Sequence, residues 1–244
     1  MTTFLRGLLQ RTRINPSRKR LEDFIVKSSV RFPSGSKVLD AGSGEGFYRH
    51  HFSHCVYHST DLQKYQKTYG LTTYLSDLST LPIENDSYEY ILCTQVLEHV
   101  PDPDRVMNEF FRVLKPGGEL WLSAAFSYAE HEVPYDFFRY TRFGLRFLAE
   151  KAGFRILEID WLEGYFGSLA YQFDLAARLL PTKVRTTGAI SAMVGQILLS
   201  VFLLAVRCIS FIFSLILSRL ELHYKLTEQG FGKNCTMIAV KPTG

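Results

Sequence analysis

Residues 38–46 read Val-Leu-Asp-Ala-Gly-Ser-Gly-Glu-Gly, and this stretch decides the fold. An apolar run ends at Asp40, and a turn that contains three glycines follows it. The sequence then predicts a helix over 47–52 and a second strand over 55–60, which leads into Asp61. A strand, a glycine-rich turn, a helix and a second strand in this order are typical of a parallel α/β sheet.

The rest of the chain continues this alternation. Apolar runs predict strands, and helices are predicted between them from helical spacing and from start and stop signals such as Thr141 and the Lys-Pro-Gly-Gly of 115–118. We therefore predict an α/β fold with a doubly wound, Rossmann-like, seven-stranded and mostly parallel sheet, and with an apolar helical insertion before the last strand. The further strands are expected over 73–75, 88–94, 119–124, 155–159 and 236–240.

A chain of 244 residues that is 46% hydrophobic can bury one substantial core. We expect a single α/β domain that carries an insertion. The predicted parts are a basic amphipathic N-terminal segment (1–18), the core (19–163), an apolar helical insertion (164–234), and the last core strand with the C-terminus (235–244).

The charge of the chain argues against a nucleic-acid partner. Lys and Arg exceed Asp and Glu by 28 to 24, which gives +4, and no basic stripe runs through the central region. The N-terminal segment is basic and also contains apolar residues from Phe4 to Leu9, a pattern that suits either an anionic membrane surface or a solvated terminus.

The cysteines and the N-terminus indicate the compartment. The four cysteines are widely spaced, without the paired motifs of zinc sites or redox-active dithiols, so we expect reduced thiols and no metal. Arg6 and Arg11 interrupt the apolar run that a secretory signal would need. We expect a protein that is either cytoplasmic or peripheral on the cytoplasmic face of the inner membrane.

Three carboxylates follow three successive predicted strands. Asp40 directly precedes the glycine turn, where it would repel a dinucleotide pyrophosphate but attract the ammonium group of an amino-acid-bearing cofactor. Asp61 lies 21 positions later, where an acidic side chain can accept from both ribose hydroxyls. Asp77 follows the next strand and could accept from an adenine amine, with Leu78 packed on the ring.

Residues 38–46 resemble the first motif of class I S-adenosylmethionine (SAM)-dependent methyltransferases. Residues 76–82, 88–100 and 113–118 resemble later stretches of the same family, in family order, and the resemblance covers about 20–160 plus the last strand. One departure is Glu89, where the family usually has Asp. The resemblance implies SAM as cofactor, with the methionine part at the glycine turn, the ribose at Asp61, the adenine at Asp77, and Gln95 beneath the sulfonium. The implied cofactor residues are Asp40, Gly42, Ser43, Gly44, Gly46, Asp61, Leu62, Asp77, Leu78 and Gln95.

The acceptor is expected at residues 131–141, which combine titratable and aromatic side chains after the fifth strand. His131 could accept a hydroxyl proton, with Asp136 orienting it and Arg139 holding an anionic group. Alternatively, Asp136 and Arg139 form a structural ion pair and Thr141 caps the next helix. For His99 we expect a place at a helix start that lines the pocket. The stretch resembles the acceptor loop of bacterial polysaccharide and O-antigen methyltransferases, which implies a sugar hydroxyl.

Residues 188–218 form an apolar run that is long enough to cross a bilayer. A single crossing would place the last strand on the wrong side of the membrane, and two crossings need more residues than the run provides. The run therefore predicts a shallow helical hairpin, a helix in the membrane interface, a homodimer-forming helix pair, or a buried pair.

Together these patterns predict an enzyme that methylates an oxygen of a sugar or of a lipid-linked glycan with SAM. The alternatives are methylation of a small molecule such as a quinone precursor, and a non-catalytic scaffold of the same fold at the membrane. A dinucleotide oxidoreductase is a further reading, which Asp40 and the compact glycine spacing disfavour.

Overall fold

Seven strands form one sheet in the order β3-β2-β1-β4-β5-β7-β6 in the computed structural model, which describes residues 15–63, 69–181 and 190–243. All neighbouring strands are parallel except β7, which runs antiparallel to both β5 and β6. This confirms the predicted fold class. Of the predicted N-terminal segment, residues 1–14 lie outside the described residues. The strands are β1 (Lys37–Ala41), β2 (Val56–Asp61), β3 (Tyr74–Leu75), β4 (Tyr88–Thr94), β5 (Leu114–Ala125), β6 (Arg155–Trp161) and β7 (Asn234–Val240).

Two of the described helices begin at a side-chain cap. At the start of α2 the Asp102 side chain accepts from the Arg105 amide at 3.0 Å, and at the start of α3 the Thr141 hydroxyl accepts from the Gly144 amide at 2.9 Å. The cap predicted at Thr141 is therefore present. The helices are α1 (Pro16–Arg31), α2 (Pro103–Val113), α3 (Arg142–Lys151), α4 (Tyr165–Leu179) and α5 (Ile190–His223), with short 3-10 turns at Arg49–Phe52 and Leu97–His99.

Helices cover both faces of the sheet because alternate residues of the central strands point in opposite directions. On one face Leu39, Ile91 and Leu120 join a buried apolar cluster with residues of α2 and α3. On the other face Val38 and Trp121 pack with residues of α1. This doubly wound arrangement leaves the carboxyl ends of β1 to β4 open as a ligand edge.

The helix predicted over 47–52 is wrong in extent. Only the 3-10 turn Arg49–Phe52 forms there, because β2 already begins at Val56 and the turn through Gly46, with φ of +71°, uses the preceding residues. Glu89, the departure from the family pattern, accepts from the Lys37 amide at 2.8 Å and so ties β4 to β1.

The chain divides into two compact units. The sheet unit comprises residues 18–162 and 232–244, and the described residues of the other unit are 15–17, 163–181 and 190–231. We call residues 163–231 the helical segment.

Within the helical segment α4 and α5 pack against each other. Phe173 stacks on Phe213 with ring centroids 5.3 Å apart, and Arg207 donates to the Ala177 carbonyl at 2.8 Å. The buried carboxylate of Glu221 accepts from the Gly164 amide at 2.8 Å and the Gly167 amide at 3.0 Å, which satisfies donors at the start of α4.

The shallow hairpin predicted within 188–218 is wrong, since its described part, 190–218, belongs to the single helix α5 of 34 residues. At 1.5 Å per residue this helix is about 51 Å long. Val194–His223 is long and apolar enough to cross a membrane by length and composition. Its most apolar 18-residue window has a mean hydropathy of 2.4, and only 11% of that window is buried.

The first half of α5, residues 194–206, exposes large apolar side chains around more than half of its circumference, at about 100° per residue. Leu198 and Phe202 are 67% and 61% exposed. The second half differs, because a stripe of Ser210, Ser214 and Ser218 is buried there. The exposed large side chains of the first half are Val194, Ile197, Leu198, Leu199, Val201, Phe202 and Leu204.

Candidate active site

The glycine turn after β1 is built so that the backbone can lie close to β4. Gly42 has a φ of +80°, and a Cβ placed on it would lie 2.4 Å from the Val96 side chain. Only glycine fits at this position, both sterically and conformationally. At Gly44, by contrast, a Cβ would meet nothing within 4 Å, so the turn faces open space there.

Two of the three predicted carboxylates are held at the strand ends by backbone amides. Asp61 accepts from the Gly44 amide at 2.9 Å and from the Gln63 amide at 2.7 Å, which couples the end of β2 to the glycine turn. Asp77 accepts from the Ser79 amide at 2.8 Å. Charge-assisted bonds of this kind fix a carboxylate in place while leaving further lone pairs for a ligand.

Asp40 is the buried carboxylate of the set. Its residue is 5% exposed, and the Tyr57 hydroxyl donates to it. Burial raises the pKa of Asp40, the Tyr57 hydroxyl acts in the opposite direction and the charge of Asp61 adds to the rise, which together leave the pKa at about 6. A nearby cation would restore the ionised form.

A cavity opens between the glycine turn and the ends of β2 to β4. Seven of the ten predicted cofactor residues line it, whereas Asp40, Ser43 and Gly46 lie outside the lining set. None of His131, Asp136 and Arg139 lines it. The lining residues are Gly42, Gly44, Asp61, Leu62, Ser76, Asp77, Leu78, Gln95, Val96, His99, Val100 and Glu132.

Gln95 lines this cavity directly after the end of β4. Its backbone has a φ of +57°, its amide N–H donates to the Ser123 carbonyl at 2.9 Å, and its side chain donates to the Ser123 hydroxyl at 3.2 Å. A non-glycine residue with positive φ is uncommon, and such strained positions concentrate at functional sites.

His99 is the imidazole that reaches the cavity. Its Nδ1 lies 2.8 Å from the Tyr135 carbonyl, so this nitrogen carries the proton and Nε2 is the basic atom. Burial lowers the pKa of His99. His131 stands edge-on to His99 with ring centroids 4.7 Å apart. The prediction that His99 lines the pocket is confirmed, and sequence analysis did not assign it a chemical role.

Asp136 and Arg139 form the ion pair that sequence analysis gave as the structural alternative. Arg139 donates to both oxygens of Asp136, at 2.6 and 2.7 Å, and the Asp136 side chain is only 3% exposed. The Arg139 guanidinium holds the pKa of Asp136 well below its usual range. Asp136 also accepts from the His131 amide at 2.8 Å, and its carboxylate lies 3.3 Å from the His131 Nδ1. The pair therefore orients the loop and its imidazole.

Glu98 is a functional candidate that sequence analysis missed. It is fully buried, and neither of its carboxylate oxygens has a hydrogen-bond partner among the described residues. Burial raises the pKa of Glu98 to about 7, and the nearby amides of Glu98 and Ala125 offset only part of this. The signal in the sequence was an acid next to an imidazole directly after a predicted strand.

Comparison with known proteins places the strongest similarity in this region. Residues 39–122 match a family described as a methyltransferase domain, a stretch that contains the end of β1, all of β2 to β4 and most of β5. The "Ubiquinone biosynthesis O-methyltransferase" of Xanthomonas oryzae pv. oryzae is 31% identical over 103 residues, or 37% of this chain and 43% of that protein. The chain thus spans less than half the length of the curated relatives it matches.

Solved structures extend the likeness to the whole fold. The [4+2]-cyclase SpnF has a TM-score of 0.53 at 19% identity and covers 92% of this chain and 82% of its own. Phosphoethanolamine N-methyltransferase 2 of Haemonchus contortus, solved with SAM, has a TM-score of 0.53 at 17% identity and covers 92% of this chain and 52% of its own. Because these neighbours carry out different reactions, the likeness shows the Rossmann-like fold, and the reaction must be argued from the site.

Proposed function

We propose that this chain is a class I SAM-dependent methyltransferase. The observation that carries the proposal is the carboxylate set Asp40, Asp61 and Asp77 at the ends of three successive strands around an open glycine turn. A cationic amino-acid nucleoside matches this site in charge, because the described cavity lining includes three carboxylates and neither Lys nor Arg. The match of residues 39–122 to a methyltransferase domain supports the same proposal.

In the proposed complex, backbone groups bind one part of the cofactor and side chains bind the others. We assign the amino-acid part to the glycine turn from Gly42 to Gly46, including Ser43, with Asp40 as the buried counter-charge behind it. Asp61, with Leu62 beside it, would hold the ribose hydroxyls, and Asp77 with Leu78 would hold the adenine. Gln95 forms the floor. When bound, SAM supplies a methyl group on a positively charged sulfur.

The acceptor oxygen would lie between the cofactor edge and His99. Transfer from sulfur to oxygen is an in-line displacement, so the protein's first task is to align the two atoms. The methyl–sulfur bond breaks as the methyl–oxygen bond forms, and His99 Nε2 takes the hydroxyl proton. His131 and Asp136 position that ring from behind. Since Arg139 is already engaged with Asp136, we assign it to the loop architecture.

For the acceptor we propose a hydroxyl of a sugar or lipid-linked glycan, as the loop 131–141 suggests. A quinone precursor is the second candidate, because curated relatives are named ubiquinone biosynthesis O-methyltransferases. Side-by-side turnover assays with a lipid-linked glycan fraction and a polyprenylated catechol would separate the two. Mass spectrometry of cell-envelope sugars and quinones, with and without the protein, would show which pool loses one methyl group.

We also propose that the first half of α5 rests in the interface of an anionic membrane, with the protein on the cytoplasmic face. A surface that is apolar around more than half of a helix is better covered by lipid than by one flat protein face. A full crossing is disfavoured, since β7 returns to the sheet that β6 belongs to. A homodimer through 188–218 is the competing arrangement.

Calorimetry with SAM tests the cofactor proposal directly. We expect one binding event per chain and competition by S-adenosylhomocysteine. Absence of both would overturn the enzyme and leave only the fold. Binding of SAM without turnover on either acceptor class would favour the scaffold alternative instead.

Sedimentation with phosphatidylglycerol-containing vesicles tests the membrane proposal. The double variant Leu198→Asp/Phe202→Asp should lose vesicle binding, whereas Val30→Asp, which changes an 82% exposed apolar residue of α1, should not. The homodimer is the correct arrangement if the unmodified protein stays in the supernatant and light scattering shows it to be a dimer, whereas the double variant is a monomer.

A further inference from the structure

The buried carboxylate of Glu98 has two imidazoles as close neighbours. One possible ligand atom each of Glu98, His99 and His131 lies within 4.8 Å of the other two. Glu98 and His99 come from the turn after β4, and His131 comes from the loop after β5, 32 positions further along the chain. Sequence analysis predicted no metal because this cluster forms only when the two segments meet.

Both imidazoles are oriented in the way that metal-binding histidines usually are. His99 Nδ1 lies 2.8 Å from the Tyr135 carbonyl, and His131 Nδ1 lies 3.2 Å from the Ala129 carbonyl and 3.3 Å from Asp136. A histidine that binds a metal through one nitrogen typically donates the other N–H to a carbonyl or carboxylate. A metal at this place would therefore be bound through Nε2 of each ring.

Glu98 supplies an independent observation. Its carboxylate is fully buried beside the imidazoles, and no described residue makes a hydrogen bond to either oxygen. Buried polar groups without a partner are costly and rare, and a site for a cation is one recognised explanation. The orphaned carboxylate thus calls for a cationic partner at this place.

We propose that Glu98, His99 and His131 form a binding site for a divalent transition-metal ion of the Zn²⁺ type. Two imidazoles and one carboxylate are the protein ligands of many catalytic zinc sites, which keep a further position open. Tetrahedral bonds of about 2.1 Å place the ligand atoms about 3.4 Å apart, so the side chains would close in by about 1.4 Å on binding. Because His99 lines the cavity, the open position faces it.

The role of the ion rests on the proposed function, whereas its binding does not. In the methyltransferase, an acceptor hydroxyl would occupy the open position, and the ion would lower the pKa of that hydroxyl. The hydroxyl proton would leave to water, and the oxygen would then take the methyl group from sulfur. This gives His99 the role of ligand in the metal-loaded protein and of base in the metal-free protein.

Titration of the tag-free protein with Zn²⁺ and with Co²⁺ tests the site without any activity assay. We expect one equivalent to bind, and we expect Co²⁺ to develop the visible absorption of a four- or five-coordinate site. Glu98→Gln and His131→Ala should each weaken Zn²⁺ affinity at least tenfold. Circular dichroism should show both variants folded, and His131→Ala carries the test if Glu98→Gln does not fold.

A matched control comes from the neighbouring pair His50 and His51, whose ring centroids lie 3.9 Å apart. The double variant His50→Ala/His51→Ala should bind Zn²⁺ as the unmodified protein does. Loss of binding in this control, or unchanged binding in both site variants, would overturn the proposal. So would the absence of stoichiometric binding. If SAM still binds in that case, the methyltransferase proposal survives the failure of the metal site.

Discussion

The two sides of the cavity are built in different ways. On the cofactor side, backbone geometry sets the positions, since Gly42 fits only as glycine and the amides of Gly44 and Gln63 hold Asp61. On the acceptor side, side chains from two distant segments hold one another, as His99 and His131 do. The comparison teaches that a cofactor site can be rigid through local geometry, whereas the acceptor site depends on how the loop 131–140 docks. The two sides should therefore respond differently to substitution.

The largest effect is expected at His99. His99→Ala should lower turnover by about 10³-fold, because a positioned base or metal ligand is lost, and should leave the SAM affinity within a factor of about three. Single-turnover kinetics with calorimetry would measure both, with His50→Ala as the control. An equal loss in SAM affinity would contradict the separation of the two sides.

The next effect is expected at Gly42. Gly42→Ala should lower SAM affinity by about 100-fold, because its Cβ would overlap the Val96 side chain and its φ is positive. Gly35→Ala is a matched control, since Gly35 has a φ of +83° but open space around it. That variant should lose only about 1 kcal/mol of unfolding free energy and no SAM affinity. Equal affinity losses in both variants would mean that backbone conformation alone, and not the close approach to β4, matters.

A smaller effect is expected in the pH dependence of SAM affinity, which should reflect Asp40 on the cofactor side. Because burial raises the pKa of Asp40 to about 6, the carboxylate is ionised above pH 6, and SAM affinity should fall about tenfold per unit below it. The groups that act on Asp40 or feel its charge are Tyr57, Asp61, Tyr48 and Cys93. Calorimetry between pH 5 and 8 would measure this, and a flat profile would show that Asp40 is not the counter-charge.

The same raised pKa makes a prediction for stability without cofactor. A carboxyl whose folded pKa lies above its unfolded value stabilises the protein fully below about pH 4 and loses this contribution as the pH rises through 6. Asp40→Asn should therefore raise the unfolding free energy at pH 7 by on the order of 2 kcal/mol while abolishing tight SAM binding. Glu84→Gln, at an exposed surface carboxylate, should change neither.

The smallest effect is expected at the ion pair of the acceptor loop. Arg139→Lys keeps the charge but loses the two-pronged contact with Asp136, so the acceptor KM should rise by about three- to tenfold with SAM affinity unchanged. Hydrogen exchange should also quicken at the amides of Phe137 and Phe138, which donate to the Glu98 carbonyl. Arg146→Lys, in an exposed pair with Glu150, is the control. Unchanged exchange would mean that Arg139 does not order the loop.

The cofactor side of the cavity was more predictable from the sequence than the acceptor side. The glycine turn and the strand-end carboxylates lie at their predicted positions because each accompanies the end of a strand that its own local pattern predicts. Seven of the ten predicted cofactor residues line the cavity. The extent of the 47–52 helix was wrong because the sheet register, and not helical propensity, ended it at a single turn.

The acceptor side could not be read from the sequence to the same depth. His131 stood out by composition, but only the docking of its loop shows that His99 reaches the cavity and that Glu98 is buried beside both. The hairpin in the helical segment failed for a related reason. Apolar length alone does not say where a helix ends, and α5 continues without a break past Arg207 to His223.

The helical segment leaves and rejoins the sheet at one point, since Leu162 donates to the Asn234 carbonyl at 2.9 Å and β6 and β7 run antiparallel. The excursion between them is topologically a hairpin loop of great length, and a tight turn would join the same two strands. The segment could therefore be removed or exchanged without any change in the strand order of the sheet. If the proposed membrane contact belongs to this segment, it could be gained or lost in evolution independently of the proposed methyl transfer.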